Sequence, residues 1–177
     1  MIYTIGHGNK IIETFLDELK AYDIKYLIDV RSKPFSKWSP HFNKDSLSNY
    51  LNTINIKYVN MGDQLGGLPK DRKLYGDGKV IYSKLSNSGP FKKGIQRIVT
   101  ASNKKLDIAM MCSEADPEQC HRSKLIGGEL AQLNIPVTHI KSIDNIVTQE
   151  ELYYEMTKGY GLNDLLGPVE LTSKKRY

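Results

Sequence analysis

The chain has 177 residues, of which 40% are hydrophobic and 25% charged, and its formal net charge is +5. This balance is typical of a folded globular protein and excludes a disordered or low-complexity chain. The length suits one core, so we expect a single domain over residues 1–177. The mild excess of basic residues favours an anionic partner without identifying nucleic acid.

We expect neither a targeting segment nor a membrane span. No apolar run approaches the length that a span needs, and Met1 is followed directly by strand-like residues. We therefore expect a cytoplasmic protein with no membrane partner, in which the two cysteines are reduced. The basic residues 173–177 are expected to form a solvated, frayed tail.

Short apolar segments alternate with segments of helical periodicity along the chain. The predicted strands are residues 2–5, 26–30, 56–59, 106–111 and 135–140. The predicted helices are residues 9–22, 39–54, 91–102 and 120–133, followed by short helices over 149–166 within a C-terminal extension, 149–177. Asn9 is the expected N-cap of the first helix, and Pro40 lies where the second should begin. The alternation predicts an α/β fold, with a mostly parallel sheet of about five strands and helices on both faces.

Residues 62–89 interrupt this alternation. They contain six glycines and one proline in 28 residues, interleaved with lysine and arginine. A stretch of this length in a compact domain is usually a functional loop or lid, or it hides a short helix. We expect an irregular region with a short helix near Tyr82–Leu85.

Polar clusters follow three of the predicted strands directly. They are Gly6-His7-Gly8, the segment that begins at Arg31, and the segment that begins at Cys112. In a parallel sheet all three lie at the carboxyl edge, where α/β proteins bind ligands. The sequence therefore predicts a site at this edge.

The third cluster has the composition of a cysteine-based site. Cys112 ends a central strand, and the helix N-terminus and arginine that follow should favour its thiolate. Arg122 and Ser123, at the start of that helix, could bind phosphate, sulfate or carboxylate. The order of strand, cysteine, arginine, serine and helix resembles that of rhodaneses and cysteine-dependent phosphatases. Because nine residues separate Cys112 from Arg122 and include Pro117, we do not expect a phosphate cradle made only of loop amides.

Several roles stay open for the neighbouring side chains. Cys120 could resolve an oxidised Cys112, replace it as nucleophile, or only pack in the core. His121 or His7 could carry a proton, and Glu114 is a candidate carboxylate on the same loop, where carboxylates would also repel an anion and raise the thiol pKa. Other candidates for substrate binding are Asp29, Arg31, Gly66 and Gly67.

We assign no metal and no cofactor from the sequence. Cys112, Cys120, His121 and either His7 or His41 could assemble a zinc site, but no CxxC or HxxxH spacing supports it. No Walker loop, GxGxxG or HExxH motif is present.

Four motifs in order resemble the family known as domain of unknown function 488. They are Thr4-Ile5-Gly6-His7, the segment from Asp29 to Ser36, Leu65-Gly66-Gly67, and Met111-Cys112-Ser113-Glu114 with Cys120-His121-Arg122. The resemblance implies a small prokaryotic α/β protein without an agreed activity, sometimes described as related to DNA repair. It also implies that these polar residues form a site: His7, Asp29, Arg31, Pro34, Gly66, Gly67, Cys112, Glu114, Cys120, His121 and Arg122.

Three hypotheses for the function follow. The first is a cysteine-dependent hydrolase or transferase acting on a phosphate-bearing substrate, either a nucleotide or nucleic acid. The second is a non-catalytic nucleic-acid-binding module that uses the basic residues at 70–73 and 92–93 together with Trp38 and the tyrosines. The third is a thiol redox protein that uses Cys112 and Cys120.

Overall fold

The computed structural model describes residues 1–157 and 172–173. The strands are β1 (Ile2–Gly6), β2 (Tyr26–Asp29), β3 (Lys57–Asn60), β4 (Tyr75–Gly76), β5 (Lys79–Val80), β6 (Ile108–Cys112), β7 (Thr138–Ser142) and β8 (Asn145–Thr148). The helices are α1 (Ile12–Ala21), α2 (Lys44–Thr53), α3 (Gly62–Leu65), α4 (Tyr82–Ser86), α5 (Gly89–Asn103), α6 (Gly128–Gln132) and α7 (Gln149–Met156). A π-helical segment, Arg122–Gly127, leads directly into α6.

The fold is α/β, as the sequence predicts. The main sheet has six strands in the order β3-β2-β6-β1-β7-β8. All neighbours are parallel except β8, which is antiparallel to β7, and β4 and β5 form a separate small hairpin. The sequence prediction missed β8 because its residues are mostly exposed at the sheet edge and form no long apolar run.

Alternate residues of the strands face two separate layers of helices. Ile2, Ile108 and Met110 pack in one core with the apolar faces of α5 and the π-helical segment. Tyr3 and Ile5 point the opposite way and pack in a second core with α1 and α2. Helices therefore cover both faces of the sheet, and β6 is buried along its whole length at the centre.

Four helices are followed by the same left-handed turn at the amino edge of the sheet. Asp23, Asn55, Lys105 and Asn134 have φ between 53° and 58°, and each lies two residues after the end of α1, α2, α5 or α6. A residue of this conformation reverses the chain at a helix C-terminus. This turn directs the chain from each helix to the start of the next strand. The longer loops therefore lie at the carboxyl edge of the sheet.

Several expected boundaries are wrong. Asn9 does not cap α1, because the N-cap is Ile11, which makes no side-chain hydrogen bond. The chain first forms a turn at Gly8, which has a φ of 51°, and the backbone N–H of Lys10 donates to the carbonyl oxygen of His7. The region 62–89 is not irregular, since it contains α3, the β4–β5 hairpin and the predicted short helix α4.

The end of the chain also differs from expectation. Of the helices predicted over 149–166, α7 is confirmed, and residues 158–171 lie outside the described residues. Ser173 is not part of a frayed tail, because it is buried and exchanges hydrogen bonds with Val80. Within residues 1–157 and 172–173, every helix is too short or too polar to cross a membrane.

Candidate functional site

Three loops meet at the carboxyl edge because β1, β2 and β6 are parallel neighbours. His7 N, just after β1, donates to Cys112 O at 3.0 Å. Val30 N, just after β2, donates to Met111 O at 3.1 Å. The predicted convergence of the three polar clusters is therefore confirmed.

Glycines allow these loops to approach one another. A Cβ on Gly6 would lie 1.9 Å from the carbonyl oxygen of Glu114, and a Cβ on Gly67 would lie 2.8 Å from Cγ of the His121 ring. Gly66 packs in the same way against the loop after β2. Gly66 and Gly67 therefore shape the site by admitting neighbouring groups.

A cavity of about 320 Å³ opens between the loops. This volume is at the low end of the range for small-molecule sites, about 300–1,000 Å³. Its chemically active lining consists of Arg31, Lys33, Cys112, Glu114, Cys120 and His121. The site thus combines two thiols, one imidazole, one carboxylate and two cations.

The two thiols and the imidazole form a compact cluster at the buried side of the cavity. Nδ1 of His121 lies 3.8 Å from Sγ of Cys112 and 3.8 Å from Sγ of Cys120. Cys112 also lies 3.4 Å from Oε2 of Glu114, to which its thiol donates. The backbone N–H of Arg122 donates to Sγ of Cys120 at 3.5 Å. The backbone N–H of Arg122 therefore lies near Cys120, and the carboxylate of Glu114 lies near Cys112.

This asymmetry gives the two thiols opposite pKa shifts. Hydrogen bonding with Cys120, burial, and the negative charges of Cys120 and Glu114 hold the pKa of Cys112 well above its ordinary value. Burial alone would raise the pKa of Cys120, but the Cys112 thiol and the charges of Arg122 and His121 bring it well below. The backbone donor and the cations near Cys120, together with the carboxylate near Cys112, favour Cys120 over Cys112 as the thiolate, which is the reverse of the sequence expectation.

His121 is the neighbour that favours a thiolate at Cys120. Burial alone would lower the pKa of His121, but the negative charge of Cys120 raises it, so each group favours the charged form of the other. Nε2 of the same ring is buried and has no hydrogen-bond partner within residues 1–157 and 172–173.

Arg31 is fixed by a buried ion pair. Nε and Nη2 donate to the Asp29 carboxylate at 2.9 and 2.6 Å, and Nη2 also donates to Phe42 O at 2.8 Å. Tyr58 donates its hydroxyl to the same carboxylate at 2.6 Å. Burial alone would lower the pKa of Arg31, but Asp29 raises it above its ordinary value. Asp29 therefore positions Arg31 and does not face the cavity itself.

His7 lies behind Arg31, stacked on the ring of Phe42. Nδ1 lies 2.9 Å from the carbonyl oxygen of Gly8, which only accepts, so Nδ1 carries the proton. Nε2 is then an acceptor for Nη1 of Arg31, at 3.3 Å. Burial and the charge of Arg31 lower the pKa of His7 to about 4. Both ring nitrogens are engaged, so His7 is a neutral support for Arg31 and the expectation of a proton carrier is not met.

Arg122 is completely buried and braces the loop that follows β6. Nη1 and Nη2 donate to the carbonyl oxygens of Glu114 and Ala115 at 2.6 and 2.8 Å, and Nε donates to Thr4 Oγ1 at 3.3 Å. Ser123 is also completely buried and donates to the carbonyl oxygen of Pro117. Neither side chain contributes to the cavity lining, so we reassign both from substrate binding to positioning.

The same cluster contains the donors that a metal would need. The sulfurs of Cys112 and Cys120 and a ring nitrogen of His121 lie within 4.8 Å of one another. Two thiolates and an imidazole suit a soft or borderline cation. The spacing of eight and one residues does not follow a zinc-knuckle pattern, because a strand end and a helix start bring the donors together.

Comparison with protein families gives a match over residues 11–127 of the 177 to the domain of unknown function DUF488. The chain belongs to the DUF488 family. Neither the curated proteins nor the solved structures that were searched contain a match.

The part of the chain that matches DUF488 includes the two thiols, the imidazole, and the Asp29–Arg31 pair. His7 precedes the matched range, and Ser173 follows it, although both lie at or beside the cavity. The site of this DUF488 protein therefore draws on elements at both ends of the chain.

Sequence reasoning missed part of the cavity lining. Tyr82, Gln119 and Ser173 line the cavity but stand in no recognisable motif. It also missed His139, which is completely buried and lies 2.7 Å from Thr4 Oγ1, the group that accepts from Arg122. A histidine in an apolar strand gives no signal of such a contact.

Proposed function

We propose that the protein is a cysteine-dependent hydrolase or transferase that acts on a phosphate-bearing substrate, with Cys120 as the nucleophile. The observation that carries the proposal is the contact of the Cys120 sulfur with the His121 imidazole in a cavity that also presents Arg31. A thiolate is the nucleophilic form of cysteine, and an adjacent imidazolium stabilises it.

Cys120 is favoured over Cys112 by its neighbours. It receives the backbone N–H of Arg122 and lies in the field of two cations. Cys112 instead faces the carboxylate of Glu114, which opposes a second negative charge. Cys112 therefore acts as a neutral donor beside the nucleophile.

Arg31 is the group that would hold the substrate anion. Its Nη1 carries two hydrogens, one of which goes to His7. The other has no acceptor in the part of the chain that the structure describes, and Arg31 lines the cavity. Lys33, at the rim, adds a second and more mobile cation.

The reaction balances with the residues at hand. The Cys120 thiolate attacks phosphorus, a sulfur–phosphorus bond forms, and the bond to the leaving oxygen breaks. His121 gives its proton to that oxygen, which departs as an alcohol. For a hydrolase, water then attacks phosphorus and gives one proton to His121, so that phosphate leaves and the thiolate is restored. For a transferase, an acceptor alcohol replaces the water.

The test is alkylation of both cysteines by iodoacetamide over a range of about pH 5 to 9, which covers both sides of the pKa of an ordinary cysteine, about 8.5. Cleavage after Glu114 and Glu118 separates the two cysteines for mass spectrometry. The protein is first treated with a chelator, so that a metal on the sulfurs does not mask them. We expect Cys120 to react at the acidic end and Cys112 only at the basic end.

The anion site is tested in the same assay. Inorganic phosphate should slow alkylation of Cys120, whereas an uncharged solute should not. The Arg31→Gln variant should lose this protection, with Arg97→Gln as the control because Arg97 is an exposed arginine on α5. A Cys120 that reacts no faster than Cys112 at acidic pH would overturn the nucleophile, and protection that survives Arg31→Gln would overturn the anion site.

A thiol redox protein is the second candidate, because the two sulfurs lie within 4.8 Å of each other. In exchange with oxidised glutathione, the Cys120 thiolate would attack a glutathione sulfur, and the Cys112 sulfur would then attack Cys120. The products are a Cys112–Cys120 disulfide and two reduced glutathiones, and the protein loses two hydrogens. A stable mixed disulfide at Cys120 without that loss would exclude this candidate.

A further inference from the structure

The loop after Arg31 exposes two aromatic side chains next to the cavity. We define the Lys33–Trp38 loop as residues 33–38, with the sequence Lys-Pro-Phe-Ser-Lys-Trp. Trp38 is 95% exposed and Phe35 is 68% exposed. Lys33, at the start of the loop, lines the cavity. The loop therefore connects the cavity to an aromatic surface.

Hydrogen bonds fix the backbone of this loop. Ser36 N donates to Asn43 Oδ1 at 2.6 Å, and Ser36 Oγ accepts from the backbone of Trp38 and Ser39. Lys44 N donates to Pro34 O at 3.1 Å. The aromatic side chains are thus presented to solvent by an ordered backbone, which lowers the entropy lost when a ligand binds.

The segment that contains the loop is basic. Residues 30–44 contain three lysines and one arginine and no aspartate or glutamate. The chain beyond Leu68, which also lines the cavity, adds three exposed basic residues and the exposed Asp71 within residues 70–73, a net charge of +2. Flat aromatic rings among lysines at a cavity rim suit a strand of bases joined by phosphates.

We infer that the Lys33–Trp38 loop binds single-stranded nucleic acid. Bases stack on Phe35 and Trp38, the phosphates between them contact Lys33 and Lys37, and the strand leads one phosphate to Arg31. The inference depends on the proposed function for its catalytic meaning, and it deepens that function by naming a nucleic acid as the substrate.

The chain offers an internal probe, because Trp38 is its single tryptophan. A thymidine oligonucleotide of about ten nucleotides, within the usual size of a single-strand site, is titrated while tryptophan emission is recorded. We expect quenching that saturates and that weakens as salt rises. The slope of log affinity against log salt is negative, and each lost phosphate contact should make it less steep by about 0.7. We expect this change for Lys37→Gln.

Variants are compared by the anisotropy of a labelled oligonucleotide. Trp38→Ala should weaken binding by about 5- to 150-fold, the range for loss of one stacked base. Tyr154→Ala removes another exposed aromatic ring, on α7, and should bind like the wild type. Lys104→Gln removes an exposed lysine after α5, at the amino edge of the sheet, and should keep the salt slope.

The outcomes separate this inference from the proposed function. Equal affinity of Trp38→Ala and Tyr154→Ala for the oligonucleotide would overturn the inference. Binding of thymidine monophosphate as tightly as the oligonucleotide would also overturn the inference. Quenching by anionic lipid vesicles but not by the oligonucleotide would also overturn it, in favour of a membrane surface. The contacts of Phe35, Trp38 and Lys37 with the strand do not depend on the charge of either cysteine, so a failed alkylation test would leave binding by this loop intact. A failed binding test would leave the thiolate and its phosphate site intact.

Discussion

Asp29→Asn should destabilise the protein far more than the same substitution at the surface. Each Asp29 oxygen accepts at least two donors, Oδ1 from N and Nε of Arg31, and Oδ2 from Nη2 and the Tyr58 hydroxyl. Whichever way an asparagine turns, its amide group faces two donors and loses both bonds. The guanidinium, 4% exposed, is then left without a counter-charge. Breaking a buried pair in this way costs about 3–5 kcal/mol.

The free energy of unfolding is measured by urea denaturation, with an unchanged slope required for the comparison. Asp17→Asn is the control, because Asp17 pairs with Lys20 at 3.0 Å while both side chains are more than half exposed. A surface pair of this kind contributes at most about 1 kcal/mol. Equal losses in the two variants would refute the argument that the buried pair positions Arg31.

Three further predictions test the fold and the site. Burial, followed by the charge of Arg122, lowers the pKa of His139 from 6.5 to about 4. Between these two pH values the unfolded chain binds more protons than the folded protein does. The free energy of unfolding therefore falls as the pH falls from 6.5 to 4. His139→Gln should reduce the slope of unfolding free energy against pH there by up to about 1.4 kcal/mol per unit. Lys105→Gly should stabilise the protein by about 0.5–1 kcal/mol in thermal unfolding because of its positive φ, whereas Lys104→Gly, at φ of −80°, should not. Gly67→Ala should displace the imidazole that it touches and slow alkylation of the nucleophile at acidic pH, whereas Gly89→Ala, with nothing within 4 Å, should leave the rate unchanged.

The sequence was sufficient to predict that the polar clusters of the candidate site lie at one edge of the sheet. Alternating strands and helices imply parallel pairing, and parallel pairing brings the residues after β1, β2 and β6 to one edge. His7, Arg31 and Cys112 could therefore be grouped from the sequence alone. β8 could not be predicted, because an exposed edge strand needs no apolar run.

The roles of charged residues were less predictable, because they depend on which donors and acceptors lie opposite each group. Arg122 stands in the position of an anion-binding arginine, but loop carbonyls occupy its guanidinium. Cys112 stands at the helix-facing strand end, but Glu114 faces it and removes the advantage for a thiolate. These opposing groups lie on a loop whose path follows from tertiary packing and not from any local pattern.

The charge of the site suggests which phosphate it suits best. With the proposed thiolate at Cys120 and imidazolium at His121, the four cations are Arg31, Lys33, His121 and Arg122 and the three anions are Cys120, Asp29 and Glu114, which leaves one net positive charge. A phosphodiester, with one negative charge, would neutralise this site, whereas a monoester dianion would leave an excess negative charge next to Glu114. We therefore expect dimethyl phosphate to protect Cys120 from alkylation at lower concentration than methyl phosphate does at a pH where the latter is a dianion. The opposite order would mean that the carboxylate of Glu114 is protonated or turned away when the anion binds, and it would favour a monoester substrate over a nucleic acid backbone.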